Sequence, residues 1–270
     1  MPNERLKVSI ITPVYNAGRF LPRLFGSVRA QYGFEYEHIL VDDCSSDDSL
    51  QIMREYAEGN PRTRIISAPE NKGPVVARNI AINAASGKYL AFLDADDYWL
   101  PDKLFVHTQF MERAGCAISF TDYRFVSEDG TLVGRRFRGP NRVGWALHHM
   151  TRYLGCLTIM INRERCPDFI FPDISPSVRA EDFLAWANVI KREGPALRCK
   201  YDLARYSVVE NSRSSGSYKA AKSVWLLYRS VEGLSLSRTA IYFSVYAVFA
   251  FFKRIWFKPR WRTSAVDSDQ

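Results

Sequence analysis

Apolar residues in the first half of the chain follow two alternating rhythms. A compact β-branched run at residues 6–12 (LKVSIIT) reads as a strand, and residues 20–31 place Leu21, Leu24, Phe25 and Val28 on one helical face. Residues 38–41 form the next strand and end in Asp42-Asp43. Ser45 and Asp48 then read as a capping pair for a helix carrying Leu50, Met53 and Ala57, which Gly59-Asn60-Pro61 stops. A strand at 64–67, a helix at 75–85 closed by Gly87, and a strand at 89–93 follow, the last running into Asp94-Ala95-Asp96-Asp97. A helix within 100–115, with Leu104, Phe105, Thr108 and Met111 at helical spacing, and a strand at 117–121 complete this half.

Strands alternating with helices predict an α/β domain whose mostly parallel sheet is covered by helices. Such sheets bind ligands beyond the C-terminal ends of their strands. Three polar clusters fall at those ends: Thr12/Tyr15/Asn16, Asp42/Asp43 and Asp94/Asp96/Asp97. Neither a G-x-G-x-x-G fingerprint nor a P-loop is present, which argues against a dehydrogenase and a P-loop NTPase. From about 123 to 215 the pattern is less regular, with one clear helix at 180–192, and from 223 onward the chain is helical again. No internal repeat or low-complexity tract interrupts it.

Composition changes this picture in three places. The 270 residues, 47% hydrophobic and 24% charged, suffice for one large domain with an appendage, and disorder is expected only at 264–270. The 37 Lys and Arg exceed the 29 Asp and Glu by eight, which favours anionic partners. Lys253, Arg254, Lys258, Arg260 and Arg262 concentrate that excess beside apolar and aromatic residues, a placement that suits a membrane surface and not nucleic acid. The five cysteines (Cys44, Cys116, Cys156, Cys166 and Cys199) are scattered without a C-x-x-C pair, so a reducing compartment is expected and neither a disulfide framework nor a zinc site. No leader pattern precedes residue 13, so a cytosolic catalytic domain is expected.

Each acidic cluster has a chemical and a plain structural reading. Asp94 and Asp96, one residue apart at a strand end, suit a hard cation bound through carboxylate and phosphate oxygens; the alternative is a pair of turn caps. Asp42-Asp43 presents a carboxylate for the imide N–H of uracil, or an acid placed for a helix dipole. Arg78, early in its helix, reads as a ribose–phosphate contact or as a solvated helix-surface cation. Glu181-Asp182 opens a helix containing Trp186, and supplies either a base for an attacking hydroxyl or a favourable helix-terminal acid pair.

Taken in order, VSIITPVYN at 8–16, ILVDDCSSDDS at 39–49, ENKGPVVARN at 70–79, GKYLAFLDADDYWLPDKL at 87–104 and Glu181-Asp182 before Trp186 resemble family 2 glycosyltransferases of the GT-A fold, over roughly 6–215. The resemblance implies a single displacement with inversion and no covalent sugar–enzyme intermediate. It implies a first nucleotide-binding loop at Thr12, Pro13 and Tyr15, a uracil reader at Asp43 supported by Asp42, a donor-contacting Arg78, and a D-x-D in which Asp94 and Ala95 meet the nucleotide sugar. Asp96 with Asp94 would hold Mg2+ or Mn2+, and Asp182, ahead of Glu181, would be the catalytic base. Two departures stand out. Cys44 occupies a position where glycine is usual, which matters if the backbone there needs a positive φ. Ser207 follows Tyr206 where the family shows Tyr-Arg, leaving Arg205 or Arg213 as candidates to replace that cation. Residues 120–124 and 153–160 are expected to discriminate among donor sugars.

The tail from Trp225 is similar to those of bacterial polysaccharide glycosyltransferases, which implies a lipid-linked (undecaprenyl diphosphate-type) glycan acceptor in O-antigen, capsule or teichuronic-type lipopolysaccharide and surface-polysaccharide synthesis. Residues 239–252 carry no charge but span only about 21 Å as a helix, short of a bilayer. Two placements follow: a peripheral helix at an anionic membrane interface on the cytoplasmic side, or a core helix packed on the domain. The expected organisation is a nucleotide-sugar-binding half at 1–122, an acceptor-binding half at 123–222, a helical membrane-interface tail at 223–262 and a disordered end at 263–270. A nucleotidyltransferase of related fold would need a Gly-rich basic loop where TPVYNAGRF stands, and a catalytically inactive nucleotide-sugar-binding protein would leave the acids without a reaction.

Overall fold

The computed structural model describes residues 7–151, 153–174, 180–209, 217–256 and 262–263. The first half comprises β1 (Lys7–Val14), α1 (Leu21–Arg29), β2 (Glu35–Asp42), α2 (Ser49–Glu58), β3 (Thr63–Ser67), α3 (Pro74–Ala84), β4 (Tyr89–Phe92), a two-residue β5 (Tyr98–Trp99), α4 (Lys103–Ala114) and β6 (Ile118–Ser127). Then come β7 (Leu132–Phe137), β8 (Arg142–Val143), α5 (Trp145–Met150), a 3-10 turn at Cys156–Thr158, β9 (Ile159–Asn162), α6 (Glu181–Glu193), β10 (Ala196–Val208), α7 (Ser217–Leu226), a π-helical turn at Leu227–Val231, α8 (Leu236–Trp256) and β11 (Arg262–Thr263).

Side chains of a strand point alternately to its two faces, and both faces here are covered. Val8, Ile10 and Val14 of β1, with Tyr36 and Leu40 of β2, pack against Leu21, Leu24, Phe25 and Val28 of α1, Met53 of α2 and Leu104 of α4. Ile11, Ile39, Val41, Leu90 and Phe92 turn the other way, onto Ala77 and Ala81 of α3 and Ala185, Trp186 and Val189 of α6. This double coverage explains why these strands read as continuous apolar runs. β3, β2, β1 and β4 are parallel, in register from Lys7↔Glu35 to Val14↔Asp42 and from Val8↔Tyr89 to Ile11↔Phe92, so their C-terminal ends share one edge.

Beyond β4 the sheet becomes mixed. β9 runs antiparallel to β4 and β6, and β7 antiparallel to β6. β10 runs parallel to β6 and also pairs with β5 and β8. The boundary expected after 122 falls inside β6, and that after 222 inside α7. Of the expected disordered end, Thr263 sits in β11 opposite Leu132, and 264–270 lie outside the described residues.

Two local expectations change. Asp48 stands at the start of α2 without a side-chain cap; Asp47 instead accepts from the Ser49 amide (3.0 Å), and Ser45 Oγ accepts from the Asn16 amide (3.0 Å). Gly87 does not close α3, which ends at Ala84. It lies where a Cβ would come within 2.7 Å of the Lys7 carbonyl and the Ser9 amide, so β4 enters the sheet only with glycine there.

Of the two placements expected for the tail, α8 shows packing on the domain along one face. Thr239 and Tyr246 are buried, and Tyr246 packs with Val224, Leu227, Tyr228, Phe183 and Leu184 in a third apolar cluster. Ile241, Val245, Val248, Phe251 and Phe252 are exposed. Among the described residues no helix is long and apolar enough to cross a membrane.

Candidate active site

The common edge of β1, β2 and β4 opens into a cleft of about 710 Å3. Asp43, Arg78, Asp94, Asp96, Glu181 and Asp182 all line it, with Pro13, Tyr15 and Ala95. Thr12 and Asp42 do not. Thr12 is buried behind the rim with its Oγ1 3.1 Å from His38 Nε2, and Asp42, also buried, accepts from the Ser45 amide (3.2 Å).

The side of the cleft beside β1 and β2 contains two left-handed residues. Asn16 (φ 47°) and Cys44 (φ 62°) are the non-glycine residues with positive φ among those described. Their loops are cross-linked, since the Ser46 amide donates to Asn16 Oδ1 at 2.8 Å. The Asp43 amide donates to the Val14 carbonyl (2.8 Å), and its carboxylate accepts from the amides of Lys72 (2.9 Å) and Gly73 (2.8 Å). Asp43 therefore holds the 70–73 loop against β1 while keeping further lone pairs at the cleft.

Across the cleft, Arg78 is buried and its Nη2 contacts Asp94 Oδ1 at 2.5 Å, with the guanidinium 5.2 Å from the Phe171 ring centre. Burial opposes the Arg78 charge, but the Asp94 carboxylate outweighs it and the protonated form is strengthened. The solvated helix-surface reading of Arg78 is therefore excluded.

Burial, followed by the charge of Asp94, raises the Asp96 carboxyl to about 6. The charges of Arg23 and Arg78 offset this only in part, and no ion pair to Asp96 is seen among the described residues. Asp97 is fully enclosed; burial and then the charges of Asp96 and Asp94 raise it well above the usual range, and it accepts from the Ser207 amide at 2.8 Å. Two oxygen-donor carboxylates that repel one another are the set a hard divalent cation takes, with the remaining positions left to water and phosphate. The donor set at Asp94 and Asp96 therefore fits Mg2+ or Mn2+, and no cage of three or more His, Cys, Asp or Glu exists among the described residues.

Arg23 of α1 braces this turn from behind. It donates to the carbonyls of Asp96 (3.1 Å) and Glu128 (2.7 Å) and to Ser207 Oγ (2.9 Å), and stacks over Tyr98. Ser207, which follows Tyr206, thus couples β10 to the acidic turn. Arg205 is buried and donates to Asp202 (2.7 Å), away from the cleft lining; Arg213 lies outside the described residues.

Glu181 and Asp182 form the first turn of α6, where the helix dipole favours acids. Cys156 lies on the cleft beside them. Burial comes first among the causes that raise its thiol, opposed by Arg78 and reinforced by Asp94 and Asp182. Of the two segments expected to meet the donor sugar, 153–160 reaches the cleft through Cys156 and 120–124 does not. Tyr206, Asn71 and Phe20 line the cleft without being candidates from sequence, and Cys156 is one only as a member of 153–160. Cys156 and Tyr206 come from segments without periodicity, and Arg23 carried no signal beyond its place on the polar side of α1.

The family model described as glycosyl transferase family 2 matches residues 9–167. TuaG of Bacillus subtilis, named as a teichuronic acid biosynthesis glycosyltransferase, is 37% identical over 255 residues, covering 94% of this chain and all of that protein. The Escherichia coli UDP-Glc:alpha-D-GlcNAc-diphosphoundecaprenol beta-1,3-glucosyltransferase WfgD is 30% identical over 219 residues, covering 81% and 83% of the two chains. Among solved structures, S. aureus TarS 1-349 in complex with UDP-GlcNAc superposes with a TM-score of 0.64 at 18% identity, covering 93% of this chain and 74% of that one. The mannosyltransferase PcManGT from Pyrobaculum calidifontis, in complex with GDP-Man and Mn2+, gives a TM-score of 0.58 at 17% identity, covering 94% and 84%.

Proposed function

This chain belongs to glycosyl transferase family 2, and we propose that it transfers a sugar with inversion from a UDP-sugar to a hydroxyl of a lipid-linked glycan in bacterial surface-polysaccharide synthesis. The observation that carries the reading is the meeting of Asp43, Arg78, Asp94, Asp96 and Asp182 in one cleft. The names of TuaG and WfgD support a polysaccharide product and an undecaprenol-linked acceptor, and the ligand of TarS supports a UDP donor.

In this reading Asp43 accepts the imide N–H of uracil, Tyr15 flanks the base, and Arg78 holds the ribose–phosphate side. Asp96 and Asp94 would hold Mg2+ or Mn2+, which would supply positive charge against the leaving diphosphate. The acceptor oxygen attacks the anomeric carbon from the face opposite UDP. The new C–O bond forms as the bond to diphosphate breaks, UDP leaves with that electron pair, and the acceptor proton passes to an Asp182 oxygen. Glu181 stands beside it as a supporting acid.

Asp182→Asn should lower transfer by about 100- to 10,000-fold while leaving UDP affinity near wild type. Asp96→Asn should abolish transfer together with the tightening of UDP binding by Mn2+. Near-wild-type turnover of Asp182→Asn would remove the base assignment. A wild-type chain inert toward a panel of nucleotide sugars with Mn2+ would favour a binding module.

The acceptor's lipid supports a further part of the reading: the chain works as a peripheral protein on the cytoplasmic face of an anionic membrane, with α8 against the lipid. Its exposed Ile241, Val245, Val248 and Phe252 recur at helical spacing as one uncharged stripe, followed by the basic run from Lys253. Flotation with anionic liposomes measures this.

A further inference from the structure

The last residue of the ENKGPVVARN segment has no role in the chemistry above, yet it makes an unusual contact. Asn79 Nδ2 donates to the Phe171 carbonyl and Asn79 Oδ1 accepts from the Phe171 amide, both at 2.8 Å. One side-chain amide thus pairs with a peptide unit in both senses, across 92 residues of sequence.

Phe171 is fully buried, and its ring meets four neighbours, of which Phe169 lies at 5.6 Å. The Arg78 guanidinium lies 5.2 Å from its centre. Trp186 of α6 lies at 5.4 Å, one helical turn beyond Asp182. Phe92 of β4 lies at 5.3 Å, two residues before Asp94. Phe92 and Trp186 also touch each other, at 5.4 Å. The arginine on the donor side, the helix opening with Asp182 and the strand leading to the D-x-D therefore rest on one aromatic cluster, and Asn79 sets where its Phe171 member sits.

We infer that Asn79 is a positioning residue: by fixing Phe171 it sets the spacing between Arg78 on the donor side and the first turn of α6 on the acceptor side. The inference rests on the proposed roles of Arg78 and Asp182. Its physical basis is that misplacement by about 1 Å costs about 100-fold in rate even when binding survives. Asn79→Asp keeps the size but sets an oxygen against the Phe171 carbonyl, so one of the two hydrogen bonds becomes a repulsion.

The test compares wild type, Asn79→Asp and the milder Asn79→Ser, using the donor that wild type turns over and titrating UDP-binding sites in each. The expected result is an undiminished number of UDP sites, a donor KM within about threefold of wild type and a kcat per site lowered about 10- to 100-fold. A merely structural role would reduce sites and rate together. Hydrogen exchange provides a readout independent of turnover: the amide of Phe171 and those of the first turn of α6 should exchange faster in the variants, with β1 and β2 unchanged. An unaltered kcat per site, or faster exchange that stops at Phe171 without reaching α6, overturns the inference. Neither outcome bears on Asp182→Asn, whose full activity would remove the base assignment while leaving the Asn79 result readable.

Discussion

Cys44 shows what one residue costs where the backbone dictates its type. Its φ of 62° lies in the left-handed region, where a side chain carries a penalty of about 1–2 kcal/mol that glycine avoids. Cys44→Gly should therefore stabilise the fold by about 0.5–1 kcal/mol in urea unfolding, after the extra chain entropy of glycine is subtracted. An unchanged or lower midpoint would mean that the exposed thiol makes up the difference. Lys103 is a second residue-scale case. It is wholly buried; its Nζ lies 2.9 Å from His107 Nδ1 and donates to Thr121 Oγ1 and the Thr158 carbonyl, both at 3.2 Å, and no carboxylate among the described residues pairs with it. Burial lowers it to about 7, from 10.5 when solvated. Across that window the unfolded chain binds more protons, so stability should rise with pH by up to about 1.4 kcal/mol per unit. The contribution is complete above the solvated value and lost as pH falls through about 7. Lys103→Met should flatten this rise; parallel stability–pH curves for the two proteins would contradict the assignment.

At the scale of elements, α8 is a helix with two apolar faces, one satisfied by the protein and one left to solvent. The buried face meets α5 and α7 and reaches α6 through the cluster containing Phe183. Removing the helix would therefore test folding as much as lipid binding, and point changes on the outer face separate the two. Val245→Glu with Val248→Glu should weaken flotation with anionic liposomes about 10-fold or more, since burying two charges among lipid is unfavourable, while leaving the unfolding midpoint near wild type. Flotation equal to wild type would end the membrane role of this face. α2 shows the opposite relation between sequence and element. Its span was readable from Leu50, Met53 and Ala57, but the hydrogen bonds at its start were not, because Asp47 and Ser45 bond to the β1 loop, a partner no local pattern specifies.

For the whole molecule, what could be read followed the range of the interactions. β1 to β4 and their helices were legible because apolar period and turn residues are local, and the acids at their ends were legible with them. In the second half α6 and the helical tail were legible in the same way, and the strands were not. β10 serves β5, β6 and β8 in turn, so its residues answer to three neighbours and show no clean alternation. The same reason hid part of the cleft. Cys156 and Tyr206 arrive there through long-range pairing, and Thr12, placed in the cleft by motif, is turned inward by the pleat to His38.

Phe183 follows Asp182 directly, stacks at 4.2 Å on His148 of α5, and shares a packed cluster with Tyr246 of α8. Grafting a foreign tail onto this chain would therefore disturb more than the proposed lipid contact. The graft would also have to bring matching neighbours on α5 and α6, or the start of α6, with the base proposed there, would lose its support.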